Sequence, residues 1–559
     1  MTDLDRPDTL IIPLFTSCFD IVSGSAKTST GEPIAKNVVL DMVRMLVTII
    51  DESPVLAPEI VDVIVAQFLR VDPHAFELPA KKGKRATSPR DTKQDTLLLK
   101  EYPQAYEMAK SICQTCPERM ASHISQYFNN VIMDTSALQS HDSFASSSKL
   151  AHRKHAAAAS IEADEEQEDI KELTKAHRLI RELWKACPDV LQNVVPQLEA
   201  ELSAEPVPLR LLATQTIGDM AAGIGVAGPP PSPPMDCSKY PPVTLSDYDE
   251  TIVQPNVLLI PLSPKPFSQV HTSIYDNFLT RHHDKAASVR AAWVTVAGRI
   301  MVTSAGGSGL SEHEEQSLLK SIAQMLLDVD ESVRVAAVDA IGTFGFSDIV
   351  NKLSTNGNLS TPASVLSNLA DRVKDRKPQV REHAMKVLAR MWAVAAGEIE
   401  RHNEQVVSLL QDAPSRILEA YYTNDLEVNM LIDRVLFEFL LPLSYPPVKQ
   451  KASTSKGKSA TQSQKQLDSQ ITEGEGDGDL DVNRIRVGRI LTLVSGLNDK
   501  ARAVFFALQT RQLSMRSVVT RYLQHCEEYN VTLPLSVFFS FLFFFFFFFF
   551  VNDTDREII

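Results

Sequence analysis

An all-α solenoid of stacked helix pairs, of the HEAT-repeat class, is the fold this sequence predicts, and three observations predict it. One phrase recurs three times, as Asp284-x4-Val289-Arg290, Asp328-x4-Val333-Arg334 and Asp375-x4-Val380-Arg381, at intervals of 44 and then 47 residues. A helix-pair repeat has this period. Each copy opens an apolar run of helical spacing rich in small side chains (AAWVTVAGRI, VAAVDAIGTF, EHAMKVLARMW). Small residues let neighbouring helices approach closely. Composition agrees: 559 residues, 44% of them hydrophobic, with 21 glycines and 7% aromatics, can bury a long helical core.

The elements follow in chain order. Residues 36–50 place Val39, Met42, Val43, Leu46, Ile49 and Ile50 on one helical face, and residues 58–71 do the same with Val61, Ile64, Val65 and Phe68. Pro54 marks the turn between them, and Pro58 fits the first turn of its helix, where no N–H is needed. Helices of similar size are predicted at 103–115, 118–133, 170–186, 188–202, 208–222, 272–281, 286–301, 314–327 and 331–345. The series continues at 363–374, 378–396, 402–424, 426–441, 483–496 and 498–528, with no strand-period region long enough for a sheet. A degenerate fourth copy of the phrase lies at Glu205 to Arg210 (EPVPLR), 80 residues before Arg290, the doubled interval reflecting an insertion.

This divides the chain into a solenoid portion at 1–222, a proline-rich insertion at 223–270, repeats carrying the phrase at 271–445, a linker at 446–481, further helices at 482–530 and a tail at 531–559. Inserts at 78–96 and 139–168, and the linker, are too polar to sustain a core and read as disordered loops. Proline in PPPSPP and IPLSPKP favours extended backbone within 223–270.

In the repeated phrase the Asp falls in a turn and the Arg at the start of the next helix. Asp284, Arg290, Asp328, Arg334, Asp375 and Arg381 are read as structural repeat rungs, each arginine bridging to carboxylates or turn carbonyls of a neighbouring repeat. A partner contact is the less favoured reading.

Candidate chemistry is sparse. Cys113 and Cys116 form a lone C-x-x-C within an amphipathic helix, without the further ligands of a structural zinc site, and read as buried thiols. Six scattered cysteines suggest a reducing compartment. Gly223-x-Gly225-x-x-Gly228 follows a helix and enters a proline run, opposite to a dinucleotide fingerprint. Gly457-Lys458-Ser459 lacks the upstream glycine of a phosphate loop, and His282-His283 reads as a turn. No enzyme, metal or cofactor is expected. A net charge of −14 argues against coating nucleic acid by bulk electrostatics. The run Lys81-Lys82-Gly83-Lys84-Arg85 is a candidate nuclear-import signal or simply a solvated loop. Residues 533–551 (LPLSVFFSFLFFFFFFFFV) are read as a translated pyrimidine-rich intron tract, with a membrane tail anchor as the alternative.

Several segments, in order, resemble the family of HEAT-repeat cohesin regulators called precocious dissociation of sisters, protein five. They are LIIPLFTSCFDIV (10–22), QAYEMAKSI (104–112), QYFNNVIM (126–133), ELWKACPDVLQNVVPQLEAEL (182–202), the Asp-x4-Val-Arg copies and RILEAYYTNDLEVNMLIDRVLFEFLLP (416–442). The resemblance spans most of 10–528 and departs from the family in length, which implies an internal fragment of a fungal-type member. It implies a nuclear, chromosome-associated scaffold that holds the kleisin subunit of cohesin and regulates sister chromatid cohesion. For the full-length protein it further implies dealings with the wings-apart-like releasing factor and the cohesin acetyltransferase. Chromatin association would be indirect, and membrane association is not expected. The kleisin contact is expected at Tyr421, Tyr422 and Asn424 in the 416–442 helix pair, with inter-repeat packing of both tyrosines as the alternative. From other functional classes, a nuclear transport receptor would use the same repeats to wrap basic cargo, and a tail-anchored scaffold would depend on residues 533–551.

Overall fold

The computed structural model describes residues 8–25, 36–52, 57–69, 103–130, 156–223, 267–303, 310–442, 444–446 and 481–528. Helices account for nearly all of this, and no strand occurs among the described residues. In chain order the longer ones are Asp8–Asp20, Lys36–Glu52, Pro58–Leu69, Pro103–Thr115, 117–130, Ala156–Ala186, Val195–Leu202 and Val207–Ala221. After the proline-rich stretch come Thr272–Thr280, Ala287–Thr303, Glu312–Met325, Glu331–Gly342, Val365–Arg372, Pro378–Glu400 and Leu426–Val435. Val482–Ser495 and Asp499–Glu528 close the series.

The architecture is a solenoid in which the helices that begin with the repeated phrase stack directly on one another. Val207–Ala221 packs on Ala287–Thr303, which packs on Glu331–Gly342, which packs on Pro378–Glu400. Local sequence sets where these helices start. Asp330 accepts a hydrogen bond from the Ser332 amide at one N-terminus, and Ser311 and Glu314 form a reciprocal capping box at another. Proline occupies the first turn of Pro378–Glu400, where its missing N–H costs nothing.

Glycine explains how closely the stack packs. A Cβ added at Gly218 would lie 2.4 Å from a Val296 methyl, one at Gly298 would lie 2.8 Å from the Ala340 Cβ, and one at Gly342 would lie 3.0 Å from a Val387 methyl. Each of these glycines stands eight residues after a rung arginine (Arg210, Arg290, Arg334), so the same point of three of the four stacked helices is bared to its neighbour, and Ala389 holds that place in the fourth. The apolar residues form one continuous core running from Phe15 to Leu508, with Trp293 and Trp392 its largest fully buried side chains. That is the core of a stacked array, since each repeat buries its apolar face only against the next.

Several elements differ from the sequence expectation. The helix expected at 402–424 is three short pieces, Glu404–Leu410, Ala413–Leu418 and a 3-10 turn at Glu419–Thr423, with Pro414 in the first turn of the second piece. The helix expected at 188–202 breaks into a 3-10 turn, Pro188–Leu191, and Val195–Leu202, again with proline in the first turn of each. Thr343 ends the helix expected to reach 345, and an unforeseen short helix, Phe346–Asn351, follows with its own N-terminal hydrogen bond from the Gly345 amide to Asp348. Asp8–Asp20 is likewise helical, with Pro13 inside it. Ala156–Ala186 starts inside the insert expected to be disordered at 139–168: its run AAAASIEADEEQE is polar, but alanine and glutamate are strong helix formers, so the helix begins 14 residues before the expected 170. The insert at 78–96 with the candidate import run Lys81 to Arg85, residues 139–155, residues 224–266, the 447–480 stretch and the tail from 529 lie outside the described residues.

Val482–Ser495 is pinned to the array by Arg489. This arginine is buried, donates from Nε to the Leu440 carbonyl at 2.8 Å, and stacks its guanidinium 4.5 Å from the Tyr445 ring centroid and 5.6 Å from that of Trp392. A guanidinium is weakly hydrated and planar, so it tolerates burial between aromatic faces. The helices after the long insertion thus continue the same stack.

Candidate partner-binding surface

The repeated phrase builds a ladder. Arg334 donates through Nε and Nη2 to the two carboxylate oxygens of Asp375, each at 2.9 Å, while its Nη1 reaches back to the Asp328 carbonyl at 2.8 Å and the Val329 carbonyl at 3.1 Å. Each arginine therefore closes the turn of its own repeat and holds the aspartate of the next. Arg290 makes the same fork to Asp328, at 2.7 and 2.9 Å, and donates to the Asp284 carbonyl in its own turn at 2.8 Å. Arg210, from the degenerate copy, forks to Asp284 at 2.9 and 3.2 Å. The insertion at 224–266 does not break the ladder.

Each aspartate also accepts the amide two residues on (Ala286, Asp330, Lys377), which fixes its rotamer. Burial pushes the Asp284, Asp328 and Asp375 carboxyls up, but the arginine and backbone hydrogen bonds outweigh it and hold all three below the usual carboxylate range. The ladder fades at its last rung. Arg381 reaches Asp425 only through Nη2 at 3.4 Å, and Asp425 is 41% exposed.

Asp425 is where the ladder meets the tyrosine turn. Ala413–Leu418 passes into the 3-10 turn Glu419–Thr423, and Asn424 adopts a left-handed backbone, φ 54°. Asparagine tolerates that region better than most residues. Asp425 then accepts the Glu427 amide and starts Leu426–Val435. Asn424 thus shapes the reversal of chain direction.

The two tyrosines are placed differently. Tyr421 is half-buried against the core, with its ring edge-on to Tyr422 at 6.3 Å between centroids. Tyr422 is 54% exposed, and its hydroxyl donates to the Lys500 carbonyl at 3.2 Å, at the start of Asp499–Glu528. That helix is moored to the same turn, because the Asn498 side chain donates to Glu419 at 2.8 Å and its amide to Ser415 at 3.1 Å. The result is an exposed aromatic face held in one orientation by a neighbouring repeat. Leu426 and Met430, exposed and one helical turn apart, extend apolar surface along the following helix. The sequence expectation does not include them; their signal is an i, i+4 apolar pair off the core-facing positions Val428, Ile432 and Val435.

The remaining candidates are placed as follows. Cys113 is buried inside Pro103–Thr115, whereas Cys116 lies just past that helix's end. A hydrogen bond with Cys187 and burial push the Cys113 thiol well up, and burial beside Asp51 pushes Cys116 up to about 11. Both are thiols at neutral pH, not thiolates poised for reaction. His282 and His283 close the 3-10 turn Arg281–His283 before Asp284. Among the described residues, no group of His, Cys, Asp and Glu is arranged to hold a metal ion, and no helix is long and apolar enough to cross a membrane.

Known proteins resemble this chain along most of its length. A family model described as sister chromatid cohesion protein PDS5 matches residues 1–536. The sister chromatid cohesion protein pds5 of Schizosaccharomyces pombe is 23% identical over 533 residues, which is 95% of this chain and 33% of that protein. PDS5 of Saccharomyces cerevisiae is 21% identical over 427 residues, 76% of this chain and 25% of that protein. The chain therefore spans a third or less of the length of these relatives. A solved structure of a Pds5-Scc1 complex is similar in fold, with a TM-score of 0.55 and 20% identity, over 93% of this chain and 58% of that one.

Proposed function

The chain belongs to the PDS5 family of sister chromatid cohesion proteins, and from that premise we propose that it is a non-catalytic, cohesin-associated scaffold that binds the kleisin subunit and so regulates cohesion on chromosomes. The family match over 1–536 carries this reading. It is supported by the complex in which a similarly folded Pds5 is solved with Scc1. A nuclear transport receptor, the reading from another class, has no comparable support.

Within the chain, Tyr422 is the anchor. A tyrosine presents a large amphipathic face at little entropic cost, and here the bond to Lys500 fixes that face before any partner arrives. Leu426 and Met430 supply apolar contact beside it, Tyr421 supports the turn from beneath, and Asn424 sets its shape. The ladder contributes rigidity, because a groove that flexed between repeats would lose affinity to the cost of ordering it. Work in the nucleus follows from the same reading, with Lys81, Lys82, Lys84 and Arg85 as the candidate import signal; neutralising them in a fluorescent fusion would leave the protein outside the nucleus.

The test is immunoprecipitation from nuclear extract with an antibody to residues 172–202, followed by mass spectrometry. Recovery of cohesin ring subunits is expected. Recovery of transport factors and basic cargo, with no cohesin subunit, would overturn the proposal.

A further inference from the structure

Away from the tyrosine turn, two adjoining cavities of about 460 and 340 Å³ share Arg181, Asp219 and Arg299 and so form one groove. It crosses four helices that pack one on the next, Ala156–Ala186, Val207–Ala221, Ala287–Thr303 and Glu331–Gly342. One wall is the end of Ala156–Ala186, where Arg178, Arg181 and Lys185 fall on a single face at helical spacing. The floor is made by Ala287–Thr303, which contributes the small residues Ser288, Ala291, Ala292 and Thr295, and by Val207–Ala221, which contributes the larger Leu211 and Gln215, and Ala336 marks the far end.

The charge here runs against the rest of the molecule. Four cations (Arg178, Arg181, Lys185, Arg299) face two carboxylates (Glu182, Asp219), in a chain whose net charge is −14. Asp219 accepts hydrogen bonds from both Arg181, at 3.4 Å, and Arg299. It holds two guanidiniums side by side, 25% and 41% exposed, with donors to spare. Arg178 is exposed at the rim. The Arg181–Asp219–Arg299 bridge also ties three stacked helices together, whereas Arg178 lies outside that bridge.

We propose that the groove docks an acidic peptide segment of a partner protein, one in which carboxylates alternate with small or apolar side chains. Carboxylates would meet Arg178 and Arg299 in forked contacts and Lys185, which already holds Glu182 at 3.1 Å, as a point charge, and the small or apolar side chains would lie on the floor of Leu211, Ala291 and Ala292. Two features favour a peptide over a nucleic acid. The cations cluster at one end of a recess with carboxylates among them, instead of tracking a backbone, and a chain of net charge −14 offers a long polyanion no bulk attraction, whereas a short peptide needs only the local cluster. The inference is independent of the kleisin reading, because the groove and the tyrosine turn lie on different repeats.

The test uses the whole chain and a fluorescein-labelled synthetic peptide of alternating Glu, Ala and Leu, read by fluorescence anisotropy, with a Gln-for-Glu peptide as control. The acidic peptide should bind in a salt-sensitive manner. Arg178→Glu with Lys185→Glu should weaken it about tenfold, with unchanged circular dichroism, unchanged melting and unchanged cohesin recovery. Three results would overturn the proposal: equal binding of the Gln peptide, unaltered affinity in the double variant, or displacement of the peptide by an equimolar DNA duplex.

Discussion

Removing one rung of the ladder should cost more in its middle than at its end, by an amount the geometry sets. Arg334 is 9% exposed and Asp375 3% exposed, and Arg334→Ala deletes a two-pronged contact with that carboxylate together with the donors to the Asp328 and Val329 carbonyls. Breaking a buried pair from one side typically costs about 3–5 kcal/mol, because the remaining charge loses its compensation. Asp375 retains Arg372 at 2.8 Å and the Lys377 amide, which places the expected loss near the lower end, about 3 kcal/mol. Arg381→Ala also loses two turn-carbonyl contacts, but its hydrogen bond to a carboxylate is a single one of 3.4 Å to a 41% exposed Asp425, so about 1–2 kcal/mol is expected. A stacked array need not unfold in one step. Urea titration followed by circular dichroism should therefore be paired with hydrogen exchange on peptides covering 326–345 and 370–385. A cycle of Arg334→Ala, Asp375→Ala and the double variant should show a coupling of about 2 kcal/mol. Coupling near zero, or equal losses for Arg334→Ala and Arg381→Ala, would refute the ladder as an inter-repeat tie.

Other perturbations have equally definite outcomes. Gly298→Val would push its side chain into Ala340 and force two helices apart; a melting loss equivalent to about 2–3 kcal/mol is expected, against near neutrality for Gly488→Ala, whose added methyl would meet only a Glu400 carboxylate oxygen at 3.3 Å. The ladder aspartates titrate lower in the folded chain than unfolded, so their stabilisation is complete above the unfolded carboxylate value of about 3.9 and is lost as pH falls through the lower folded values. Denaturant midpoints should thus be indifferent to these groups from about pH 5 to 8 and drop below about pH 4, and Asp328→Asn should flatten that acid limb. Tyr421→Ala should lower the melting temperature, whereas Tyr422→Ala should leave it nearly unchanged and weaken kleisin binding by about tenfold or more, the scale of an interface anchor; the reverse pattern would assign Tyr422 to packing.

The repeat period makes the fold legible in the sequence, because a helix pair that buries its apolar face only against its neighbours must repeat its contact residues at fixed spacing. Residue type and spacing mark Asp284, Asp328, Asp375, Arg290, Arg334 and Arg381 as rungs and direct the arginines to carboxylates or carbonyls of a neighbouring repeat. The phrase does not show which aspartate each arginine takes, or that it also holds the carbonyls of its own turn, which depends on how one repeat is rotated against the next. The glycines at 218, 298 and 342 carry the same periodic signal, but it is easily missed, since glycine within a helix ordinarily signals weakness and not a point of close approach. Pro188 and Pro414 mark breaks that the apolar pattern bridges, so the two helices drawn across them from that pattern are too long. At the candidate site, the family resemblance of 416–442 and the residue type single out Tyr421 and Tyr422 together but do not separate them. Their difference rests on Lys500, whose carbonyl lies 78 residues from Tyr422 along the chain. The basic groove is invisible in the sequence for the same reason, since its arginines come from positions 178, 181 and 299.

The central claim, that this solenoid segment holds kleisin at the tyrosine turn, is tested most directly by hydrogen-exchange mass spectrometry of the chain with and without the purified kleisin subunit of cohesin. Slowed exchange concentrated in peptides spanning 416–442 and the start of Asp499–Glu528, and abolished by Tyr422→Ala, is the predicted result. Binding with no protection in those peptides, or protection that persists undiminished in Tyr422→Ala, would contradict it.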